Sequence, residues 1–373
     1  MNEQSNKYHI AIACGGTGGH FFPGLAVAQQ FILRNCDVTL IVSEKEIDQQ
    51  ALQSVWGMNI VKLPAVGLTK KNYPGFALGF LKSFLGAKKL FKAKPPHAVL
   101  GMGGFTAAPP ILAGILARVP TFFHESNAVP GRANRWVSHF VTRGFVGFSH
   151  AASQFTGCDI VDIGMPVRPQ FTPRDTANSR STLGLDPMRP TLLIMGGSQG
   201  ATAINDLLIQ SLPLLAKQMV ELQFLHLTGE KDEERVREAY ERFAPGRFTV
   251  KPFLAEMQHA LSAATVAISR SGASSLAEIA ALRVPTILIP YPTATDNHQL
   301  FNAREYVRTG AARLLEQADA TPDSLVQLVG LLLRNATVRQ SLLVALPCWH
   351  RPRAAEAIAD QILKVVREGK PRK

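Results

Sequence analysis

The sequence predicts an α/β protein built as two doubly wound domains, each a mostly parallel sheet with helices on both faces. Three observations predict it. A chain of 373 residues, at ~150 per domain, has room for two full cores. Strand-like apolar runs alternate with helical patterns along its length, the order that parallel βαβ units require. The second half also echoes the first. Gly101–Phe105 leads through a helical stretch to Arg118-Val119-Pro120-Thr121, and Ser271-Gly272-Ala273 leads through another to Arg283-Val284-Pro285-Thr286. The spacing of that echo is far longer than a solenoid repeat, so it marks two domains of one architecture.

The elements follow in order. His9–Cys14 is a short apolar strand that meets Gly15-Gly16-Thr17-Gly18-Gly19-His20, with a helical pattern from Pro23. Val38–Val42 and Val99–Gly101 are further strands, the latter running into Gly101-Met102-Gly103-Gly104. Thr121–Phe123 leads to the polar group His124-Glu125-Ser126-Asn127. Val167–Asp186 is rich in Pro, Arg, Ser, Thr and Asp and holds the boundary, giving domains 1–168 and 169–350. Thr191–Met195, the turn Gly196–Gly200 and a helix over Ala203–Leu215 restart the pattern. Gly272 precedes a helix that carries Glu278, and the strand Ile287–Tyr291 leads to Asp296-Asn297-His298-Gln299. A last helix, about Arg353–Glu368, lies in segment 351–373; the sequence allows it to pack on either domain, including back on the first.

Composition narrows the function. A hydrophobic fraction of 46% with 18% charged residues is that of a globular chain. No apolar run reaches the ~18–20 residues of a spanning helix, and the polar Met1–Lys7 lacks a signal-peptide layout, so the chain is expected not to cross a bilayer. Its four cysteines form no CxxC pair, which gives no sign of a zinc site or disulfide framework. The net charge is +12, and the stretch from Gln49 to His124 contains no acidic residue. Within it Phe76, Phe80 and Phe84 recur at i, i+4 and i+8, beside Leu81 and Leu85, and Lys82, Lys88, Lys89, Lys92 and Lys94 follow. This reads equally as a core helix with a solvated lysine end and as an apolar, lysine-flanked face for an anionic membrane. No RNA-binding motif with interleaved aromatics occurs, so nucleic acid is not an expected partner.

The glycine loops carry the chemistry. A Gly-rich turn between strand and helix lets backbone approach a ligand, and the N–H groups of the helix start favour an anion. Four such turns in one chain point to a phosphate-bearing ligand. It is not a dinucleotide held by G-x-G-x-x-G, because Phe21 and Thr106 stand where a glycine is needed, and no P-loop motif is present. No D-x-D pair exists to seat a divalent cation on a diphosphate. Helix ends and side chains such as Arg168 and Ser198 would then neutralise it. His20 directly follows the first glycine turn, where a helix N-terminus disfavours the imidazolium and leaves a ring able to accept a proton. Taken alone, it is equally a structural or solvated histidine. Glu278 reads either as ordinary helix-dipole pairing or as the acceptor of hydrogen bonds from a ribose diol.

Together these motifs resemble the MurG family of peptidoglycan glycosyltransferases over nearly the whole chain. The resemblance is carried by Gly15–His20 with Pro23–Ala26, Gly101–Gly104, His124-Glu125 with Asn127, and Pro166-Val167-Arg168. It continues in Gly196–Ala201, Arg270–Ala273 with Glu278, and Asp296–Gln299 with Asn302-Ala303. It implies a GT-B fold of two Rossmann-like domains facing across a cleft, the acceptor on the first and UDP-N-acetylglucosamine mostly on the second. It implies inverting transfer of N-acetylglucosamine to the 4-hydroxyl of undecaprenyl-pyrophosphoryl-N-acetylmuramyl-pentapeptide, without metal or cofactor. His20 matches the family's proposed base. Thr17, Gly18, Gly19, Asn127, Arg168, Ser198, Leu254, Ala273, Ser274, Ser275, Glu278 and Gln299 match donor-binding positions, and Gly103, Gly104, Glu125 and Asn134 fall on the acceptor side. A lipid-linked acceptor favours the membrane reading of Phe76, Phe80, Leu81, Phe84, Leu85, Lys88, Lys89 and Lys92, at the cytoplasmic face of the plasma membrane. Met165, Phe105 and Ser126 depart from the family's frequent Asn, Tyr and Gln. A soluble UDP-N-acetylglucosamine 2-epimerase on the same fold is the competing expectation.

Overall fold

The computed structural model describes residues 7–15, 18–43, 57–64, 73–197 and 200–369. The chain divides into one unit of Met1–Arg168 with Arg351–Lys373 and a second of Pro169–His350.

The first unit holds β1 (His9–Ala13), β2 (Asp37–Ser43), β3 (Asn59–Leu63), β4 (Ala98–Gly101), β5 (Thr121–Glu125), β6 (Arg143–Val146) and β7 (Asp159–Asp162). They form one sheet in the order β3-β2-β1-β4-β5-β6-β7. Every described pairing is parallel. The central strands are apolar on both faces: all five residues of β1 are buried, as helices on both sides of a parallel sheet require. Strand order reverses between β1 and β4, the place where open α/β sheets leave a crevice beyond the strands' carboxyl ends.

The helix expected from Pro23 begins earlier, at Gly18, and runs to Leu33 with Pro23 inside it. Pro23 is its sixth residue, past the first turn, so it removes the bond an N–H there would make to the Gly19 carbonyl. Right-handed crossovers put this helix on one face of the sheet, and the helices Tyr73–Ala93, Ala108–Leu116 and Arg132–Val137 on the other. Those three pack in succession.

The final helix, Ala354–Glu368, docks on helix Gly18–Leu33. Its buried positions Ala354, Ala355, Ile358, Ala359, Ile362 and Leu363 form one stripe, and the last five join Phe31, Val27 and the β1–β4 strands in a single core. At ~1.5–3 kcal/mol for each large aliphatic side chain, that stripe anchors the chain's end firmly to the first unit.

The second unit repeats the plan with β8 (Thr191–Met195), β9 (Gln223–Leu227), β10 (Phe248–Lys251), β11 (Val266–Ser269), β12 (Thr286–Leu288) and β13 (Arg313–Leu314). The order is β10-β9-β8-β11-β12-β13, again parallel, with its reversal between β8 and β11. Its core packs Leu192, Ile194 and Phe224 with the helices Thr202–Gln218 and Pro322–Arg334. In both sheets, therefore, the two strands flanking the reversal each run into a glycine turn.

Helix Tyr73–Ala93 sorts the residues of the apolar, lysine-flanked stretch by exposure. Gly79, Ser83, Ala87 and Phe91 are buried, while Phe76, Phe80 and Phe84 are half-buried. Phe76 packs edge-on against Phe105 at 5.5 Å and tilted against Phe80 at 6.0 Å. The phenylalanine row thus lines the seam of the helix. The outward apolar residues are Leu78 (54% exposed), Leu81 (51%) and Leu85 (52%), with Lys82, Lys88, Lys89 and Lys92 exposed as well. The row is i, i+4 spaced, but it is rotated away from the solvent by the packing of the small residues beside it. No helix among the described residues is long and apolar enough to cross a membrane.

Candidate active site

In the first unit the site grows from the β1 and β4 turns. Gly15 is required by contact: a Cβ there would stand 2.5 Å from the Ser43 nitrogen. Thr106 Oγ1 donates to the Gly15 carbonyl at 2.6 Å and ties the two turns together across the reversal. His20, third residue of helix Gly18–Leu33, lays its ring over Gly103-Gly104. Gly103 has φ +102, and a Cβ on it would meet His20 Cε1 at 3.0 Å and Nδ1 at 3.1 Å. Gly104 has φ +72, with His20 Cδ2 and Nε2 each 3.4 Å from such a Cβ. These glycines do two things: they turn the chain through the left-handed region, and they leave the space the imidazole fills.

Behind His20 stands His124, fully buried. Its Nε2–H donates to the Gly164 carbonyl at 3.0 Å, which leaves Nδ1 facing the Ser126 hydroxyl at 3.4 Å. Burial pushes its pKa down to about 4, the Gly164 hydrogen bond opposes this, and nearby His20 adds to the lowering. His124 is therefore a neutral neighbour of His20 at physiological pH.

Glu125, also buried, spends both carboxylate oxygens on the loop that follows. Oε1 accepts from the Asn127 N–H at 2.9 Å and its Nδ2 at 3.3 Å; Oε2 accepts from the Gly131 N–H at 2.9 Å and Asn134 Nδ2 at 2.8 Å. Glu125 and Asn134 thus shape the loop that presents Asn127. Arg168, only 7% exposed, holds its guanidinium 4.0 Å above the ring of Phe22, on the same helix as His20.

In the second unit Gly197 (φ +105) and Gly200 (φ +75) carry the β8 turn. A Cβ on Gly200 would fall 2.1 Å from the Thr228 carbonyl oxygen, whereas one on Gly197 would meet nothing within 4 Å. Gly200 is thus pressed against β9's end, while Gly197 has space beside it. Helix Ala273–Leu282 starts after Gly272 with no side-chain cap, so the N–H groups of Ala273, Ser274 and Ser275 are donors for an anion. Glu278, 8% exposed, is its sixth residue.

Gln299 is fixed from two sides. Its Oε1 accepts from the Tyr291 N–H at 3.0 Å and its carbonyl from Ser271 Oγ at 2.7 Å, which leaves the side-chain amide N–H₂ as its donor. Asp296 and Asn297 before it both have positive φ, +50 and +54. Arg270 is a buried brace: Nη1 donates to the Ile289 and Pro290 carbonyls at 3.0 Å and Nη2 to Gln317 Oε1 at 2.9 Å. Leu254 lies buried in the loop after β10.

Thr17 and Ser198 lie outside the described residues. Of the others, the first unit gathers His20, Gly103 and Gly104 in direct contact and groups Glu125, Asn127 and Asn134 by hydrogen bonds. The second unit links Gln299 to the Ser271-Gly272 turn. Among the described residues no group of three or more His, Cys, Asp or Glu is arranged to hold a metal ion. One contributor escaped the sequence reading, Thr106, whose hydroxyl ties the two turns together. Its one available signal was position after the carboxyl end of a parallel strand.

Both units match domains of a known glycosyltransferase family. Residues 10–146 match the glycosyltransferase family 28 N-terminal domain and residues 191–342 its C-terminal domain. A UDP-N-acetylglucosamine–N-acetylmuramyl-(pentapeptide) pyrophosphoryl-undecaprenol N-acetylglucosamine transferase from Nitratidesulfovibrio vulgaris is 36% identical over 362 residues, 96% of this chain and 98% of that one. One of the same name from an Anaeromyxobacter species is 34% identical over 365 residues, 96% of this chain and 93% of that one. The crystal structure of Acinetobacter baumannii MurG superposes with TM-score 0.74 at 29% identity, covering 96% of this chain and 99% of that one. The Staphylococcus aureus MnaA–UDP structure gives TM-score 0.72 at 13% identity over 98% of both chains, a likeness of fold alone.

Proposed function

The chain belongs to the MurG family of N-acetylglucosamine transferases, and on that premise we propose how it moves N-acetylglucosamine from UDP-N-acetylglucosamine to undecaprenyl-pyrophosphoryl-N-acetylmuramyl-pentapeptide. The reading is a single inverting displacement. The acceptor 4-hydroxyl oxygen attacks the anomeric carbon, His20 takes the hydroxyl proton, and the bond from that carbon to the diphosphate breaks as UDP departs. The observation that carries it is the seat of His20: a ring at a helix start, braced on Gly103-Gly104, with neutral His124 behind it. A histidine so placed is held as a proton acceptor in one position.

The departing diphosphate needs positive charge where charge develops. We assign that task to the Gly196–Gly200 turn with Ser198, the N–H groups at Ala273–Ser275, and Arg168. Glu278 takes the ribose hydroxyls, the Leu254 backbone the base, and the Gln299 amide a sugar hydroxyl. Gly18, Gly19, Thr17 and Asn127 complete donor binding. Gly103 and Gly104, with Glu125 and Asn134 acting through their loop, serve the acceptor. No metal has a part in this scheme.

The enzyme lies on the cytoplasmic face of the plasma membrane as a peripheral protein. Helix Tyr73–Ala93 meets the anionic surface there through Leu78, Leu81 and Leu85 and the lysines 82, 88, 89 and 92.

Transfer of labelled N-acetylglucosamine to a short-chain lipid-linked acceptor tests the reading, with epimerisation of free UDP-sugar followed in parallel. Transfer without epimerisation is expected; epimerisation without transfer overturns it. Full turnover in excess EDTA is expected, and loss restored by Mg²⁺ would refute the metal-free scheme.

A further inference from the structure

Beneath the β8 turn lies a buried polar chain that the mechanism does not use. Tyr240 OH donates to His226 Nδ1 at 3.3 Å, and His226 Nε2–H donates to Asn205 Oδ1 at 3.0 Å. The Asn205 amide N–H₂ reaches the Thr228 carbonyl at 3.0 Å and Asp232 Oδ2 at 2.8 Å. Thr202 Oγ1 donates to the same Asp232 oxygen at 2.8 Å, and Arg235 holds Oδ1 at 2.8 Å. Each donor in the chain faces an acceptor, so the network has one arrangement. Burial holds His226 neutral, with its pKa pushed down to about 3. Burial raises the Asp232 carboxyl, but the hydrogen bonds from Arg235, Thr202 and Asn205 outweigh it and keep it below its ordinary value.

The network ends on the Thr228 backbone, which lies between two ligand loops. The Thr228 oxygen that accepts from Asn205 is the atom a Gly200 Cβ would strike at 2.1 Å. Thr228 N–H donates to the Lys251 carbonyl at 3.1 Å and Gly229 N–H to the Pro252 carbonyl at 3.0 Å, which carries the connection to the loop of Leu254. Thr202 and Asn205 sit in the first turn of the helix that the β8 turn feeds.

We propose that Asp232 is a positioning residue for the nucleotide: through Asn205 and Thr202 it sets the spacing between Gly200, where the β8 turn meets its helix, and the Pro252 backbone that leads to Leu254. The inference rests on the assignment of UDP to this unit. The backbone groups that hold diphosphate and base belong to different loops, and the Asp232 carboxylate clamps both to one strand end. Loosening it costs affinity for the whole nucleotide and leaves the sugar-transfer step intact.

The test uses the full chain, with UDP binding by calorimetry and steady-state kinetics. Asp232→Asn presents an amide to three donors. It is expected to raise the UDP Kd and the KM for UDP-N-acetylglucosamine together by ~10-fold, with kcat within ~2-fold. Thr202→Val removes one donor without changing shape and is expected to move both constants the same way by ~3-fold. Tyr240→Phe loosens the far end only; it lowers the melting temperature and leaves UDP affinity unchanged. Should Asp232→Asn fail to fold, Thr202→Val against Tyr240→Phe decides. Wild-type UDP affinity in the Asp232 and Thr202 variants overturns the proposal, as does an equal loss in Tyr240→Phe. A wild-type protein that does not bind UDP overturns instead the assignment on which it rests.

Discussion

Gly103→Ala tests the seat of His20 without touching the imidazole. The backbone at Gly103 has φ +102, outside even the left-handed well that alanine visits at a cost of ~1–2 kcal/mol. The methyl carbon would also lie 3.0 Å from His20 Cε1 and 3.1 Å from Nδ1, where carbon contacts settle near ~3.5–4 Å. The ring must retreat by ~0.5 Å or more, and an ångström-scale misplacement of a catalytic group costs up to ~10²-fold. The expected result is a ~10–100-fold fall in kcat with UDP affinity unchanged, since Gly103 is assigned to the acceptor and not to the nucleotide. Gly246→Ala supplies the control: φ is +70 there, but a Cβ would meet nothing within 4 Å. It should lower stability by ~1–2 kcal/mol and leave kcat intact. The assay is labelled-sugar transfer to the short-chain acceptor, with calorimetric UDP binding and a thermal melt on each variant. Full turnover in a folded Gly103→Ala protein would refute the account of His20 held by the turn. So would an equal kcat loss in Gly246→Ala.

Other outcomes are as specific. His20→Ala should lower kcat by ~10²–10⁴-fold with the protein folded; near-full turnover would remove the base assignment. Leu81→Glu and Leu85→Glu should each weaken sedimentation with anionic vesicles by ~5-fold, from ~1 kcal/mol of lost half-exposed leucine burial, while Phe80→Leu should leave it nearly unchanged. Equal loss at Phe80 would show that the phenylalanine row faces the lipid after all. Acid should destabilise both units. His124 and His226, with pKa values near 4 and 3, stay neutral when folded, whereas the unfolded chain binds their protons below ~6.5. Stability therefore falls as pH drops through that window, by about 2 kcal/mol for each histidine at pH 5. Thermal melts at pH 7.5 and 5 should differ by ~4–8 °C in each unit's transition, and His124→Gln should flatten the response of the first.

Much of the site was legible because glycine turns and the polar groups after strands are local features. Gly103-Gly104, His124–Asn127 and Gln299 can be placed from strand–turn–helix grammar alone. That His20 rests on Gly103, or that Glu125 spends its charge on a loop, depends on elements about eighty residues apart in the first case and on how a loop closes in the second. Asp232 was hidden for the same reason: in sequence it is one acid in a charged run, and only Asn205 and Thr202, folded against it, make it singular.

The sequence by itself determined the fold class, the two sheets and the positions of the glycine turns, because periodicity and backbone freedom are properties of short segments. Tertiary structure decided three things. It joined the last helix to the first unit through Ile358, Ile362 and Leu363. It brought the turns after β1 and β4 together through Thr106 and Gly15. It turned Leu78, Leu81 and Leu85 outward in place of the phenylalanines. Each is a matter of which surfaces become neighbours. An amphipathic stripe states that a face will be buried, but only the packing around it selects the partner and the rotation.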